Sequence, residues 1–178
     1  MMLITGLSIA QVCDAIDGAP EYRVKAAFVY KFATYIRWPV SIAAEGTAPF
    51  VIGVLGANPF GASLNDVVHG QRVGGRVIQV RVVSRVEEAL DCDLVFVSSS
   101  EQRNLPQTLA TLRAAPVLTV SDMEQFAEQG GMVGLVTTED NHIRFDINKA
   151  AIERTGLRAS SQLLHLARVV VEARGGHR

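Results

Sequence analysis

Three consecutive serines, Ser98, Ser99 and Ser100, follow the apolar run Leu94–Val97, where a strand could hand a nucleophile to a helix. A serine hydrolase of that design places its nucleophile in a Gly-x-Ser-x-Gly elbow, and these serines have no such flanks. Ser98-x-x-Glu101 has instead the spacing of a capping box, in which the serine and glutamate close each other's backbone N–H groups. The segment Gly56-Ala57-Asn58-Pro59-Phe60-Gly61 lies between strand and helix, as phosphate loops do. It lacks the Lys-Ser/Thr of a P-loop and the three-glycine spacing of a dinucleotide fingerprint. Asn58 as a helix N-cap, with Pro59 at the first helical position, accounts for it without a ligand. A phospho-receiver domain needs an acid at the end of a central strand and a nearby lysine. Here Leu94–Val97 runs into serines, and no lysine lies between Lys31 and Lys149. His69, His142, His165 and His177 are far apart, and no pair has metal-ligand spacing. Asp91 and Asp93 read as solvated acids around Cys92, itself a small buried hydrophobe. No acid–base pair, metal cluster, activated nucleophile or cofactor motif emerges, so the chain reads as non-enzymatic.

Composition narrows the class. The 178 residues, 48% hydrophobic and 20% charged, suit one globular domain with a sizeable core. Seventeen basic against eighteen acidic side chains leave a net charge of -1, which disfavours nucleic acid as a partner. Fourteen of the basic residues are arginine, and only Lys25, Lys31 and Lys149 could supply an amine. Two cysteines, Cys13 and Cys92, make neither a disulfide framework nor a four-thiolate zinc site.

Residues 1–13 carry no charged side chain and are too short for a bilayer, which needs about 20 apolar residues. They have the length of the apolar region of a signal peptide, with small residues at Ala15 and Gly18-Ala19 for cleavage. A basic start is missing, so residues 1–19 are expected to be a leader truncated by a start codon placed too far downstream. The alternative is a buried N-terminal strand or helical turn. A lipid anchor at Cys13 is the weaker reading, because Ala-Gln-Val precedes it.

From residue 20 helices and strands alternate. Val24, Phe28, Phe32, Tyr35 and Ile36 predict one face of a helix that opens at Pro20 and stops at Trp38-Pro39. Phe50–Leu55 reads as a buried strand, followed by a short helix through Val68 and a turn over Gly70–Gly75. Ser84-x-x-Glu87, Ser98-x-x-Glu101 and Ser121-x-x-Glu124 each follow a strand-like run, at Val77–Val83, Leu94–Val97 and Val117–Val120. Strand, cap and helix repeated in this way predict parallel β-α units. The expected fold is therefore α/β, a three-layer sandwich with a mostly parallel sheet, helices on both faces and a C-terminal antiparallel hairpin. The hairpin is Met132–Thr137 with His142–Ile147, turning at Thr138–Asn141. Asn148–Thr155 reads as a short helix, and a last helix from Ala159 is expected to carry Leu163, Leu164, Ala167, Val170 and Val171. A single domain over 20–174 and a disordered tail over 175–178 complete the organisation.

The chain resembles the YfiR family of periplasmic proteins over about residues 21–172. The resemblance rests on Glu21-Tyr22-x-Val24-Lys25-Ala26-Ala27-Phe28, Trp38-Pro39, Gly53-Val54-Leu55-Gly56-x-x-Pro59-Phe60 and Cys92-Asp93-Leu94-Val95-Phe96-Val97-Ser98. It continues in Pro116-Val117-Leu118-Thr119-Val120-Ser121-Asp122, Arg144-Phe145-Asp146-Ile147-Asn148 and Ser160-Ser161-Gln162-Leu163-Leu164. It implies an exported, non-catalytic, dimeric protein that binds the periplasmic domain of an inner-membrane diguanylate cyclase, represses it and lowers cyclic di-GMP. It also implies an outer-membrane lipoprotein that sequesters the repressor in turn. No cofactor is implied. Family members can carry intramolecular disulfides. The position matched by Cys92 is kept here, but a cysteine near Val51–Leu55 to partner it is absent. A periplasmic small-ligand-binding domain is the competing class, and an enzyme of unassigned chemistry the third.

The expected partner-binding residues are His142, Arg144, Asp146 and Asn148. Alternation along the second hairpin strand is expected to bury Ile143, Phe145 and Ile147 and to leave His142, Arg144 and Asp146 as an exposed row. Such a row is either a solvated strand face or a docking surface. Arginine is suited to the second, since it recognises carboxylates bidentately.

Overall fold

The computed structural model describes residues 10–39 and 48–172, with side chains from residue 20 onward. Residues 1–9 of the expected leader and the expected tail over 175–178 lie outside the described residues. Helix α1 (Ala10–Tyr35) leads into the short strand β1 (Ile36–Arg37). Then come β2 (Phe50–Leu55), α2 (Ser63–Val68), β3 (Arg72–Val73), β4 (Arg76–Val83), α3 (Val86–Ala89) and β5 (Leu94–Val97). A 3-10 turn, Ser99–Asn104, feeds α4 (Leu105–Leu112), followed by β6 (Leu118–Ser121), β7 (Val133–Thr137) and β8 (Ile143–Asn148). The chain closes with α5 (Lys149–Arg154), β9 (Arg158–Ala159), α6 (Ser161–Leu166) and β10 (Val169–Val171).

Eight strands form one sheet in the order β10-β8-β7-β6-β5-β2-β4-β3, and β1 pairs with β9 in a separate ribbon. The central run β4-β2-β5-β6-β7 is parallel throughout, while β7–β8 and β3–β4 are antiparallel. Every residue of β2, β5 and β6 is buried, because helices cover both faces. On one face Ile52, Val54, Phe96 and Val120 pack with α1, α2, α5 and α6. On the other, Leu55, Val95 and Val97 pack with Ala89 of α3, Leu105 and Leu112 of α4, and the loop residues Met123 and Phe126. The α/β sandwich with its antiparallel hairpin is the fold expected from the strand-cap-helix pattern.

Several local expectations need correction. Helix α1 contains Pro20 rather than opening at it. Its buried stripe is Ala26, Val29, Phe32 and Ala33, continued by Ile36 of β1, so Val24 is 47% exposed and off the core face. The stripe was displaced because Lys25, a charged residue, lies on the buried side. Asn58 caps no helix: its Oδ1 accepts from Phe60 N at 3.0 Å, its amide donates to Gly61 O at 3.2 Å, and α2 starts later, after Ala62. Ser84 does not cap α3 either: the N-cap is Arg85 with no side-chain bond, and only the reverse half of the box forms, Ser84 N donating to Glu88 at 3.1 Å. Ser98 does cap, accepting from Ser100 N, but the segment it opens is a 3-10 turn. Ser121 opens a loop rather than a helix, donating to Val97 O at 2.7 Å and accepting from Met123 N at 3.1 Å. That loop cannot be helical: Gln125 has φ 55, and the Phe126 ring lies against Gly131, within 2.5 Å of where a Cβ would stand. The last helix ends at Leu166, not beyond Val171. Ala167 is extended, Arg168 N donates to Phe145 O at 2.8 Å, and Val169–Val171 join β8 as a parallel strand.

Phe145 of β8 packs between Phe28 and Phe32 of α1, with ring centroids 6.0 and 5.1 Å away. Phe145→Ala is expected to cost about 3–5 kcal/mol of unfolding free energy in a urea titration. Val24→Ala, on the outward side of the same helix, is expected to change it by less than about 0.5 kcal/mol.

Candidate functional site

In a doubly wound sheet, ligands enter the crevice at the carboxyl ends of the strands where the order reverses. Here that point lies between β2 and β5, and it joins two of the segments singled out by sequence, Gly56–Gly61 and Ser98–Ser100. The crevice is filled from within. Ala57 N donates to Ser100 Oγ at 2.9 Å. A Cβ at Gly56, whose φ is +87, would stand 2.4 Å from that hydroxyl and 3.0 Å from the Glu101 carboxylate. The amide that could meet a phosphate is thus already bonded, and an adjacent carboxylate would repel an anion. This is also where a small-ligand-binding domain of this topology would take its ligand. Among the described residues, no group of three His, Cys, Asp or Glu side chains could hold a metal ion.

A second cluster was missed by sequence reasoning, although four of its members were among the residues that carried the resemblance. Lys25, 5% exposed, projects from α1 to Asp122 Oδ2, 2.7 Å away, and to Glu21 Oε1, 2.6 Å away. Tyr22 donates its hydroxyl to the same Asp122 oxygen at 2.8 Å, and Thr137, at the end of β7, donates to Glu21 at 2.8 Å. Helix α1 is therefore fastened to the end of β6 and to the hairpin. The available signal was the position of Lys25 within a buried stripe, where an ammonium needs an acid from elsewhere in the chain. Lys25 holds the Glu21 carboxyl below its usual range, while burial and the neighbouring Asp122 push the Tyr22 phenol above its own.

The expected docking row is split by the fold. His142 and Arg144 are exposed, and His142 Nδ1 lies 2.8 Å from Asp140 Oδ2. Thr138, which bonds Asp140, and His142 hold the Asp140 carboxyl below its usual value. Asp146, however, is 7% exposed and forms a bidentate pair with Arg168, at 2.9 and 2.5 Å. Asn148 is also buried: its Oδ1 caps α5 through Ala151 N at 2.9 Å and its amide donates to Ala127 O at 2.8 Å. The exposed row stops at Arg144 because the Arg168 side chain, just before β10, covers Asp146, and Ala127 and Ala151 enclose the Asn148 amide.

Cys92 is free and buried, and burial raises its thiol pKa. Gly53 stands directly against it: a Cβ there would be 3.6 Å from Cys92 Cβ and 2.7 Å from its sulfur. The first of these separations is that of a disulfide.

Comparison with known proteins gives a family model described as YfiR/HmsC-like, which matches residues 22–168. No curated protein matches the chain. Among solved structures it is similar to the ABC domain in complex with L-Trp from Streptococcus pneumonia, at 12% identity and TM-score 0.50, covering 68% of this chain and 55% of that one. It is also similar to a conserved domain protein from Vibrio cholerae O1 biovar El Tor, at 13% identity and TM-score 0.51, covering 75% of this chain and 60% of that one. The chain thus spans little more than half the length of either, and the likeness is one of fold.

Glu21 is ionised at a lower pH in the fold than in the unfolded chain, so its contribution is complete above about pH 4.5 and is lost as pH falls through the depressed value. Between about pH 5 and pH 3, thermal melts of the parent should lose more stability than those of Glu21→Gln. Gly53→Cys should close a disulfide with Cys92, shown by loss of free thiol, and stabilise the oxidised form by about 3–4 kcal/mol over the reduced one. The parent should melt alike with and without reductant.

Proposed function

The chain belongs to the YfiR/HmsC-like family, and from that premise we propose that it binds the periplasmic domain of an inner-membrane diguanylate cyclase and holds that enzyme inactive. The family is one of non-catalytic periplasmic regulators in cyclic di-GMP signalling. No helix among the described residues is long and apolar enough to cross a membrane. In this reading repression works through surface contact, with the consequence read out as lower cytoplasmic cyclic di-GMP.

The observation that carries this reading is the family match over residues 22–168, which includes the hairpin and both of its exposed basic residues. The docking surface we assign is the free end of that hairpin, with Arg144 and His142 as its contacts. Arg144 makes no ion pair among the described residues, so its guanidinium is available to a partner carboxylate. Antiparallel pairing from Val133↔Ile147 to Thr137↔Ile143, together with the Thr137–Glu21 bond, holds this end in a fixed position. Asp146 and Asn148 support the surface from below rather than touching the partner. An outer-membrane lipoprotein that sequesters the repressor would act by covering the same end.

Arg144→Ala combined with His142→Ala should raise cyclic di-GMP in cells carrying the cyclase. It should weaken binding to the cyclase's periplasmic domain by about 30-fold, or 2 kcal/mol, at an unchanged melting temperature. Asp146→Ala should differ by lowering the melting temperature, because it strands Arg168 and unfastens β10. Normal repression by the double variant at native protein level would rule the hairpin end out as the docking surface.

A further inference from the structure

The connection from β4 to β5 lays α3 on one face of the sheet, and the connection from β5 to β6 lays α4 on the same face. The connection from β6 to β7 carries no helix. Met123 and Phe126 of that loop fill part of the space a third helix would take. What they leave open is a cavity of about 310 Å³ between α4 and α5, with Gln129 and Gly130 as its end wall. It lies toward the amino ends of β6 and β7, away from the filled crevice at the carboxyl end of β2.

The residues around this cavity define what fits. Leu109 and Arg113 come from one face of α4, and Ala151 and Arg154 from one face of α5. Met132 and Thr119 complete an apolar interior with one polar point. Thr119 is 2% exposed, and its hydroxyl accepts from Met132 N at 3.0 Å. The hydroxyl's own proton has no acceptor among the described residues, although buried donors are normally bonded. No acid lines the cavity, whereas the exposed Arg113 and Arg154 both do. Arginines near helix C-termini usually serve the last carbonyl groups. Here those carbonyls are served already. Leu112 O accepts from Ala115 N at 3.1 Å, Ile152 O from the Thr155 hydroxyl at 2.8 Å and Glu153 O from Gly156 N at 3.1 Å. Among the described residues neither guanidinium has an ion pair or a hydrogen bond.

We propose that this cavity binds a small aromatic carboxylate that carries no amine. Its ring lies against Leu109, Met132 and Ala151, its carboxylate pairs with Arg113 and Arg154, and an oxygen on the ring accepts from Thr119. The size agrees: an apolar cavity of about 150 Å³ holds benzene, and this one has about twice that volume, room for one ring and a short acid chain. An amino acid is disfavoured, because its ammonium would enter beside two guanidinium groups with no carboxylate to meet it. The site is independent of the repressor reading, since α5 follows the end of β8 opposite to Arg144 and His142.

Calorimetric titration of the full chain with 4-hydroxyphenylacetate should show one site with a Kd of about 1 mM or tighter. 4-Hydroxyphenylacetamide keeps the shape without the charge, and L-tyrosine adds an ammonium; each should bind at least about tenfold more weakly. Phenylacetate, which offers Thr119 no oxygen, should bind about threefold more weakly. Arg113→Gln and Arg154→Gln are surface changes that should leave the melting temperature unchanged and weaken binding about fivefold each. Ala110→Trp, on the exposed rim of the cavity, should block it and abolish binding in a folded protein. No heat of binding at about 10 mM 4-hydroxyphenylacetate overturns the proposal. So does an affinity for the amide, L-tyrosine or phenylacetate equal to that for the acid, or an affinity that survives both arginine variants or Ala110→Trp.

Discussion

Lys25 sits at the start of the buried face of α1 with its ammonium 2.7 Å from Asp122 and 2.6 Å from Glu21. A buried ammonium is tolerated only where acids meet it, so the helix can lie on the sheet at one depth and one rotation. That placement sets Phe28 and Phe32 against Phe145 and brings Tyr22 onto Phe60, with centroids 5.6 Å apart. Through Thr137 the same cluster reaches the hairpin. The front layer, the end of β6 and the exposed end of β7–β8 are thus positioned by one arrangement of charges. Removing Lys25 would leave the Asp122 carboxylate buried without an ammonium, which is costlier than never having had the pair.

A comparable role falls to Asp146 and Arg168 at the other end of β8. Their bidentate bond, with the Arg168 N–H to Phe145 O, turns the chain out of α6 and lays β10 against the sheet. Asp146, expected as a contact for another protein, instead holds the fold together through Arg168. What is left on the surface is the half of β8 beyond β10, where Arg144 stands, with His142 in the turn just before it.

Strands buried on both faces were legible at their bounds, because an unbroken apolar run such as Phe50–Leu55 or Leu94–Val97 has only one environment that suits it. Elements set by tertiary partners were not. The two-residue strands β1, β3 and β9 exist only through pairing, and β10 was hidden in a run of valines that also fits a helix. The phase of α1 was misjudged because a buried lysine looks polar until its acid, 97 residues away, is known. Asp146 was misjudged for the mirror reason: alternation predicts which face a side chain takes, not whether a later side chain will cover it. For the candidate site, Arg144 and His142 were legible as exposed, whereas the Glu21–Tyr22–Lys25–Asp122 cluster needed the fold to assemble it.

Gly53 also bears on how the chain matures. With no second sulfur opposite Cys92, and with only two cysteines in the chain, maturation requires no thiol oxidation involving the core. Disulfide formation and reshuffling take seconds to hours, whereas strand pairing in a domain of this kind is faster. The chain can therefore reach its folded state without closing a disulfide at Cys92.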